Sequence, residues 1–99
     1  MKIQKKEEGS GGKFFIEEDG KNIALMTYKK SGEDTIVIDH TVVDESLQGE
    51  GIGKDLVAEG VKFARENNLK IIPQCPFAAK IIGETPEFQD VLSVRDAND

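Results

Sequence analysis

The chain of 99 residues carries one cysteine, Cys75. With no second thiol it can neither close an internal disulfide nor build a zinc site, which excludes a stapled secreted fold and a zinc module. Long apolar runs are also missing. The longest β-branched aliphatic run is Ile36-Val37-Ile38, far short of the ~20 residues a membrane-spanning helix needs. The basic start, Met1-Lys2-Ile3-Gln4-Lys5-Lys6, has no apolar stretch behind it, so it does not read as a secretory leader, and a cytoplasmic protein with no membrane partner is expected. Positive charge is in deficit: 13 Lys and Arg against 19 Asp and Glu give a net charge of −6, a field that repels nucleic acid and anionic lipid. Length leaves no room for a second domain, so residues 1–99 are read as one domain able to bury roughly 60–70% of its unfolded surface.

What is present reads as a folded α/β chain. Residues 1–12 end in Gly9-Ser10-Gly11-Gly12, a breaker cluster that suggests a mobile loop, with Ile3 able to anchor an edge strand. Phe14 to Glu18 and Asn22 to Lys30 flank Asp19-Gly20, a two-residue hairpin signal. After a turn at Ser31 to Asp34, Thr35 to Val43 is the most strand-prone segment and apolar on both sides, which predicts a central strand covered on both faces. Ile52, Leu56, Val57, Val61 and Ala64 then recur at helical spacing. Gly60 inside that helix predicts a close approach to the sheet, and Asn67-Asn68 an end in the left-handed conformation. Lys70 to Pro73 reads as a short strand parallel to Thr35–Val43, because a helix crosses over between them. A short helix, Phe77 to Ile82 closed by Gly83, a further turn capped by Thr85, and a solvated tail over 93–99 complete the chain.

The turn between that strand and that helix, Asp44 to Lys54, carries Gly49, Gly51 and Gly53 at alternate positions. Glycines there bring backbone N–H groups close to an anion, and a helix beginning there adds unpaired donors and the positive end of its dipole. Two phosphate-binding patterns fit badly. A P-loop requires Ser or Thr after Gly-Lys, where Asp55 stands, and a dinucleotide fingerprint requires a glycine spacing of two then three.

A third pattern, Gln/Arg-x-x-Gly-x-Gly/Ala, is met by Gln48-Gly49-Glu50-Gly51-Ile52-Gly53. With the strand before it, the helix after it and the returning strand, it resembles the acetyl-CoA pyrophosphate loop of the GNAT superfamily of N-acetyltransferases. Asp39-His40-Thr41 and Pro73-x-Cys75-Pro76-Phe77-Ala78 extend the resemblance to the small single-domain members, over about Phe14 to Leu92. It implies a minimal GNAT fold, α/β (α+β), with a mixed, mostly antiparallel sheet, a splayed parallel strand pair and a β-loop-α-β cofactor unit. It further implies acetyl-CoA or coenzyme A as cofactor, held by Gln48, Gly49, Glu50, Gly51, Ile52, Gly53 and Lys54. The Glu50 carboxylate must turn to solvent, since it would repel a pyrophosphate. An N–H group among Thr41, Val42 and Val43 would polarise the thioester carbonyl.

Two side chains are candidates for the chemistry the resemblance implies. His40, the sole histidine, could be the general base, against a structural role as a strand histidine. Cys75, just after the second splayed strand and before a helix, could be an acid toward the leaving thiolate or a transient nucleophile, against a role as a buried inert thiol. The sole tyrosine, Tyr28, lies on an early strand, whereas many GNAT enzymes use a tyrosine after the second splayed strand. Phe77 reads as a core anchor. The helices that usually build the acceptor wall are missing from the early chain, so an open site for a small-molecule or protein amine is expected, on a monomer or a homodimer. The reading is therefore acetyl transfer to a primary amine; a coenzyme A-binding module with little turnover is the alternative, and a small interaction domain that binds no cofactor is a third.

Overall fold

A computed structural model describes residues 2–93. Its strands are β1 (Gln4–Glu8), β2 (Gly11–Glu18), β3 (Lys21–Lys30), β4 (Thr35–Val43) and β5 (Lys70–Pro73), and its helices α1 (Ile52–Glu66) and α2 (Pro76–Glu84). Short 3-10 segments span Glu45–Leu47 and Pro86–Val91. The strands form one sheet in the order β1-β2-β3-β4-β5. Its first four members are antiparallel. The last pair, β4 and β5, is parallel, as a helical crossover requires.

Turn chemistry sets the meander. Asp19 and Gly20 both take positive φ, 54° and 78°, the geometry that matches a two-residue hairpin to strand twist. The Gly9 to Gly12 cluster divides differently from the loop expected. Gly9 and Ser10 make a turn, while Gly11 and Gly12 begin β2, pairing with Glu8 and Glu7. β1 is exposed throughout and bears only Gln, Lys and Glu; its charges suit a sheet edge that must not pair with another chain.

One face of the sheet holds the core. Phe14, Ile16, Ala24, Met26, Tyr28, Ile36, Ile38 and Ile71 are buried there against Leu56, Val57, Val61 and Ala64 of α1 and Ala78 and Ile82 of α2. Gly60 allows α1 to approach: a Cβ there would stand 2.8 Å from Met26 Cε and 3.7 Å from Ile38 Cδ1. Because the nearer atom ends a flexible side chain, Gly60→Ala is expected to trade a helix gain of up to ~1 kcal/mol against a shift of Met26. Chemical denaturation should place the net change within about 1 kcal/mol of zero. α1 stops where Asn68 turns to φ 56°, with Leu69 N–H donating to Ala64 C=O at 2.8 Å and Asn68 N–H to Arg65 C=O at 3.4 Å, a Schellman closure.

The expectation that β4 is covered on both faces is not met. Opposite the core, Phe15, Leu25, Thr27, Val37, Asp39 and Ile72 are half-buried, and no helix among the described residues packs on them. α2 begins one residue earlier than predicted, at Pro76, and runs through Gly83 to Glu84. Ser93, placed by the sequence reading in a solvated tail, is buried and donates its N–H to Ile71 C=O at 2.9 Å. The rest of that tail, 94–99, lies outside the described residues. No described helix is long and apolar enough to cross a membrane.

Candidate active site

The glycine turn is held from below. Asp44 accepts from Ser46 N–H at 2.9 Å and from Ser46 Oγ at 2.8 Å, starting the 3-10 turn whose Leu47 side chain is buried. Gly49 and Gly51 follow at φ 89° and 77°, and a Cβ built on either meets nothing within 4 Å. They are glycines for backbone conformation, and the space beside them is open. Gly51 caps α1, whose first bond runs from Asp55 N–H to Gly51 C=O. The N–H groups of Ile52, Gly53 and Lys54 therefore have no partner within the helix and carry its positive dipole end.

Gly53 serves a different purpose from the cradle glycine expected. It lacks positive φ, and a Cβ there would stand 2.4 Å from Phe77 Cζ. Its missing side chain lets the Phe77 ring lie across the start of α1. Phe77 itself, read from sequence as a core anchor, is 40% exposed.

These elements enclose a cleft of about 530 Å³. Of the residues expected to hold cofactor, Thr41, Val43, Gln48, Gly49, Gly51, Ile52, Gly53 and Lys54 line it, while Val42 and Glu50 do not. Val42 is 60% exposed and pairs with Leu25 on the open face. Leu47, Phe77 and Ile81 complete the lining. The spacing of Phe77 and Ile81, one turn apart on α2, was the available sign that they share a face. The cleft thus has two characters: backbone donors along the turn, and apolar walls from Val43, Leu47, Ile52, Phe77 and Ile81.

Beside the cleft β4 and β5 part. Their pairing ends at Ile38 and Pro73; Gln74 and Cys75 N–H groups both donate to Ile38 C=O at 3.0 Å, and the chain turns into α2. At the same level β4 has a bulge. Tyr28 pairs with Ile38 but Thr27 with His40, leaving Asp39 as the extra residue. The bulge resets the alternation, so that Thr41, opposite Met26, points to the core face while His40, opposite Thr27, points to the open one.

Cys75 is the buried N-cap residue of α2, and its Sγ–H donates to Thr41 Oγ1 at 3.4 Å. Burial alone would raise its pKa, but the Thr41 hydroxyl and the backbone N–H groups of Ala78, Phe77 and Thr41 outweigh it and hold the thiol below its ordinary range. Cys75 does not line the cleft; Thr41 does.

His40 lies on the other face, its side chain 76% exposed, with Nδ1 3.7 Å from Asp39 Oδ2. The structure therefore does not bring His40 to Cys75. Asp39, unnoticed as a separate residue in the sequence, is 13% exposed and accepts from Thr27 Oγ1 at 2.6 Å. Burial pushes its pKa up, yet the Thr27 hydroxyl, a backbone N–H, His40 and Lys29 together bring it below the ordinary carboxylate value of 3.8. A depressed folded-state pKa contributes stability that is present above 3.8 and disappears as pH falls through the lower folded value. Thr27→Val is accordingly expected to cost about 1.5–3 kcal/mol near neutrality. Denaturation at a series of pH values should show the gap between wild type and variant closing below pH 3.8.

A profile of the GCN5-related N-acetyl-transferases matches residues 13–91. A GCN5-like protein from Staphylococcus aureus, solved by NMR, is 36% identical, with a TM-score of 0.71 over 97% of this chain and 96% of that one. Protein NATD1 of Xenopus tropicalis is 32% identical over 63 residues, 64% of this chain and 58% of its own length, so the chain spans less than two thirds of that curated relative. A GNAT acetyltransferase of Elizabethkingia anophelis, solved with acetyl-CoA bound, shares the fold at 22% identity, with a TM-score of 0.57 over 65% of this chain and 42% of that one. The profile match, running from β2 through the Pro86–Val91 turn, takes in the glycine turn, the bulged strand and Cys75, and by it the chain belongs to the GCN5-related N-acetyltransferase family.

Proposed function

We propose that the protein is an acetyl-CoA-dependent N-acetyltransferase acting on a primary amine. The observation that carries this is the course of the cleft, from the helix-start N–H groups of Ile52, Gly53 and Lys54 to Thr41, where β4 and β5 separate. The residues fit the cofactor: Gly49 and Gly51 leave open space at their donors, and Phe77 and Ile81 offer an apolar wall to an uncharged chain. Acetyl-CoA, when bound, supplies an activated acetyl group as a thioester. N–H groups of the Gly49–Lys54 turn would hold its diphosphate, and a β4 N–H near Thr41 to Val43 would polarise the carbonyl.

The chain's own groups then move protons. Thr41 Oγ1, which faces the cleft, would give a proton to a thiolate leaving there and take one from Cys75 Sγ. The Phe77 and Ala78 N–H groups stabilise the resulting thiolate. His40 lies on the open face and outside the cleft, so it would accept the proton that the amine loses only through intervening water. We favour this relay over a nucleophilic Cys75 because Sγ is buried and only its partner Thr41 faces the cleft. Intact mass after incubation with acetyl-CoA should show no acetyl adduct on Cys75; an adduct that forms and is consumed by amine would replace the relay with a covalent route.

A coenzyme A-binding module with little turnover is a second reading, favoured by one observation: Tyr28, the only tyrosine, is buried between Phe14 and Phe63 and does not line the cleft. Thiol release from acetyl-CoA over a panel of aliphatic amines separates the two. Amine-dependent release supports the transferase; binding with release no faster than in buffer supports the module.

A further inference from the structure

Gly53 is buried in the first turn of α1, although Lys54 beside it is exposed. The cover on its Cβ side comes from α2. A Cβ at Gly53 would stand 2.4 Å from Phe77 Cζ, 2.7 Å from Cε2 and 3.5 Å from Cε1, and these ring atoms are the three nearest. Phe77 is itself 40% exposed, so its ring reaches out of the core to rest on the glycine. The backbone aims it there: Cys75 is the N-cap of α2, Pro76 the first helical residue and Phe77 the second, and proline at that place holds φ in the helical range.

The two helix starts joined by this contact are the two ends of the cleft. The first turn of α1 carries the N–H groups of Ile52, Gly53 and Lys54, and the first turn of α2 follows directly on Cys75, whose Sγ–H donates to Thr41 Oγ1 at 3.4 Å. Phe77 lines the cleft with Gly53 and Thr41. A benzyl side chain has two rotatable bonds and a rigid ring, so contact made at the ring tip acts as a stiff spacer. The loop pattern accepts Gly or Ala in its last place, where Gly53 stands. A methyl group there does not fit against this ring, since 2.4 Å is far inside the ~3.5 Å at which carbon atoms pack.

We propose that Phe77 is a positioning residue matched to Gly53: seated on the glycine, its ring sets the distance between the donors at the start of α1 and the Cys75–Thr41 pair at the start of α2. This rests on the N-acetyltransferase reading, in which the diphosphate and the thioester of one cofactor must reach those two places at once. The role differs from that of Ile81, which lines the cleft one turn further along α2, because it couples the residue allowed at 53 to the residue present at 77.

The test is a double-mutant cycle of Gly53→Ala and Phe77→Leu, read by calorimetric titration of the full chain with coenzyme A. Gly53→Ala is expected to weaken binding at least about fivefold, by overpacking against the ring. Phe77→Leu should weaken it about threefold through lost ring contacts. The double variant should return to within about threefold of wild type, because the shorter side chain leaves room for the methyl group. Proton NMR of the cofactor-free chain should show the Gly53 Hα resonances displaced by the Phe77 ring current, and the displacement gone in Phe77→Leu. Phe77→Tyr keeps an aromatic wall but adds a hydroxyl at Cζ, the atom nearest Gly53; it should weaken binding at least about threefold and is the deciding variant if Gly53→Ala does not fold. Losses that simply add in the double variant, no ring-current displacement, or unchanged affinity in Phe77→Tyr would overturn the assignment. Coenzyme A binding by the wild type together with any of these removes the Phe77 role alone, whereas no coenzyme A binding by the wild type removes the transferase reading and this assignment with it.

Discussion

Alanine at position 75 is expected to slow amine acetylation by about 10²- to 10⁴-fold, the range for a lost proton-transfer group, while leaving acetyl-CoA affinity within about threefold. The asymmetry follows from position. Cys75 does not line the cleft, so cofactor should bind without it; its Sγ–H points to Thr41, which does line it. Two companions sharpen the result. Cys75→Ser supplies a better N-cap for α2 and should keep the fold, yet the rate should still fall, because a hydroxyl gives up a proton far less readily than this thiol. Thr41→Val should slow the reaction to a similar extent and add little to Cys75→Ala in the double variant, as expected for two members of one relay. Full activity in Cys75→Ala, measured as thiol release at saturating amine, would leave the cysteine with a packing role only.

The largest expected loss of stability comes from a residue far from the cleft. A Cβ at Gly11 would lie 2.2 Å from the backbone oxygen of Tyr28 and 3.1 Å from Lys29 Cα. Both are main-chain atoms of β3 and cannot swing aside as Met26 can at Gly60. Gly11→Ala is therefore expected to break the β2–β3 register at that end and cost about 3 kcal/mol or more, the upper range for overpacking. Urea denaturation should show a large fall in midpoint. At Gly9, where a Cβ meets nothing within 4 Å, alanine should cost only the roughly 1 kcal/mol of a left-handed residue.

These two glycines show what sequence alone can and cannot convey. A cluster of Gly and Ser announces a break, and the chain does turn at Gly9-Ser10, but whether the next glycine continues a turn or sits under a neighbouring strand depends on a contact with Tyr28, seventeen positions away in the chain. Local rules reached further elsewhere. Asp19-Gly20, the Thr35–Val43 strand, the α1 stripe, its Asn67-Asn68 end and the Lys70–Pro73 strand are all fixed by turn chemistry or periodicity over a few residues, and all stand where those rules place them.

The site divides in the same way. The glycine turn was visible because special backbone conformation leaves a mark in composition. The bulge at Asp39 left none: it is set by pairing with Thr27 on another strand, and it sends His40 and Thr41 to opposite faces. Gly53 was legible as a glycine but not for its reason, because Phe77 reaches it from α2. Cys75 was placed correctly at the end of β5, whereas its hydrogen bond to Thr41 arises only from the parallel register of β4 and β5.

The cleft between the Gly49–Lys54 turn and the parting strands is expected to take acetyl-CoA. Calorimetric titration of the wild-type chain with acetyl-CoA, coenzyme A, ATP and NAD tests it most directly. Saturable binding of the two coenzyme A species is expected, at least about tenfold tighter than ATP or NAD and weakened when Gly51 is replaced by valine. Equal affinity for all four, or none for any, would contradict it.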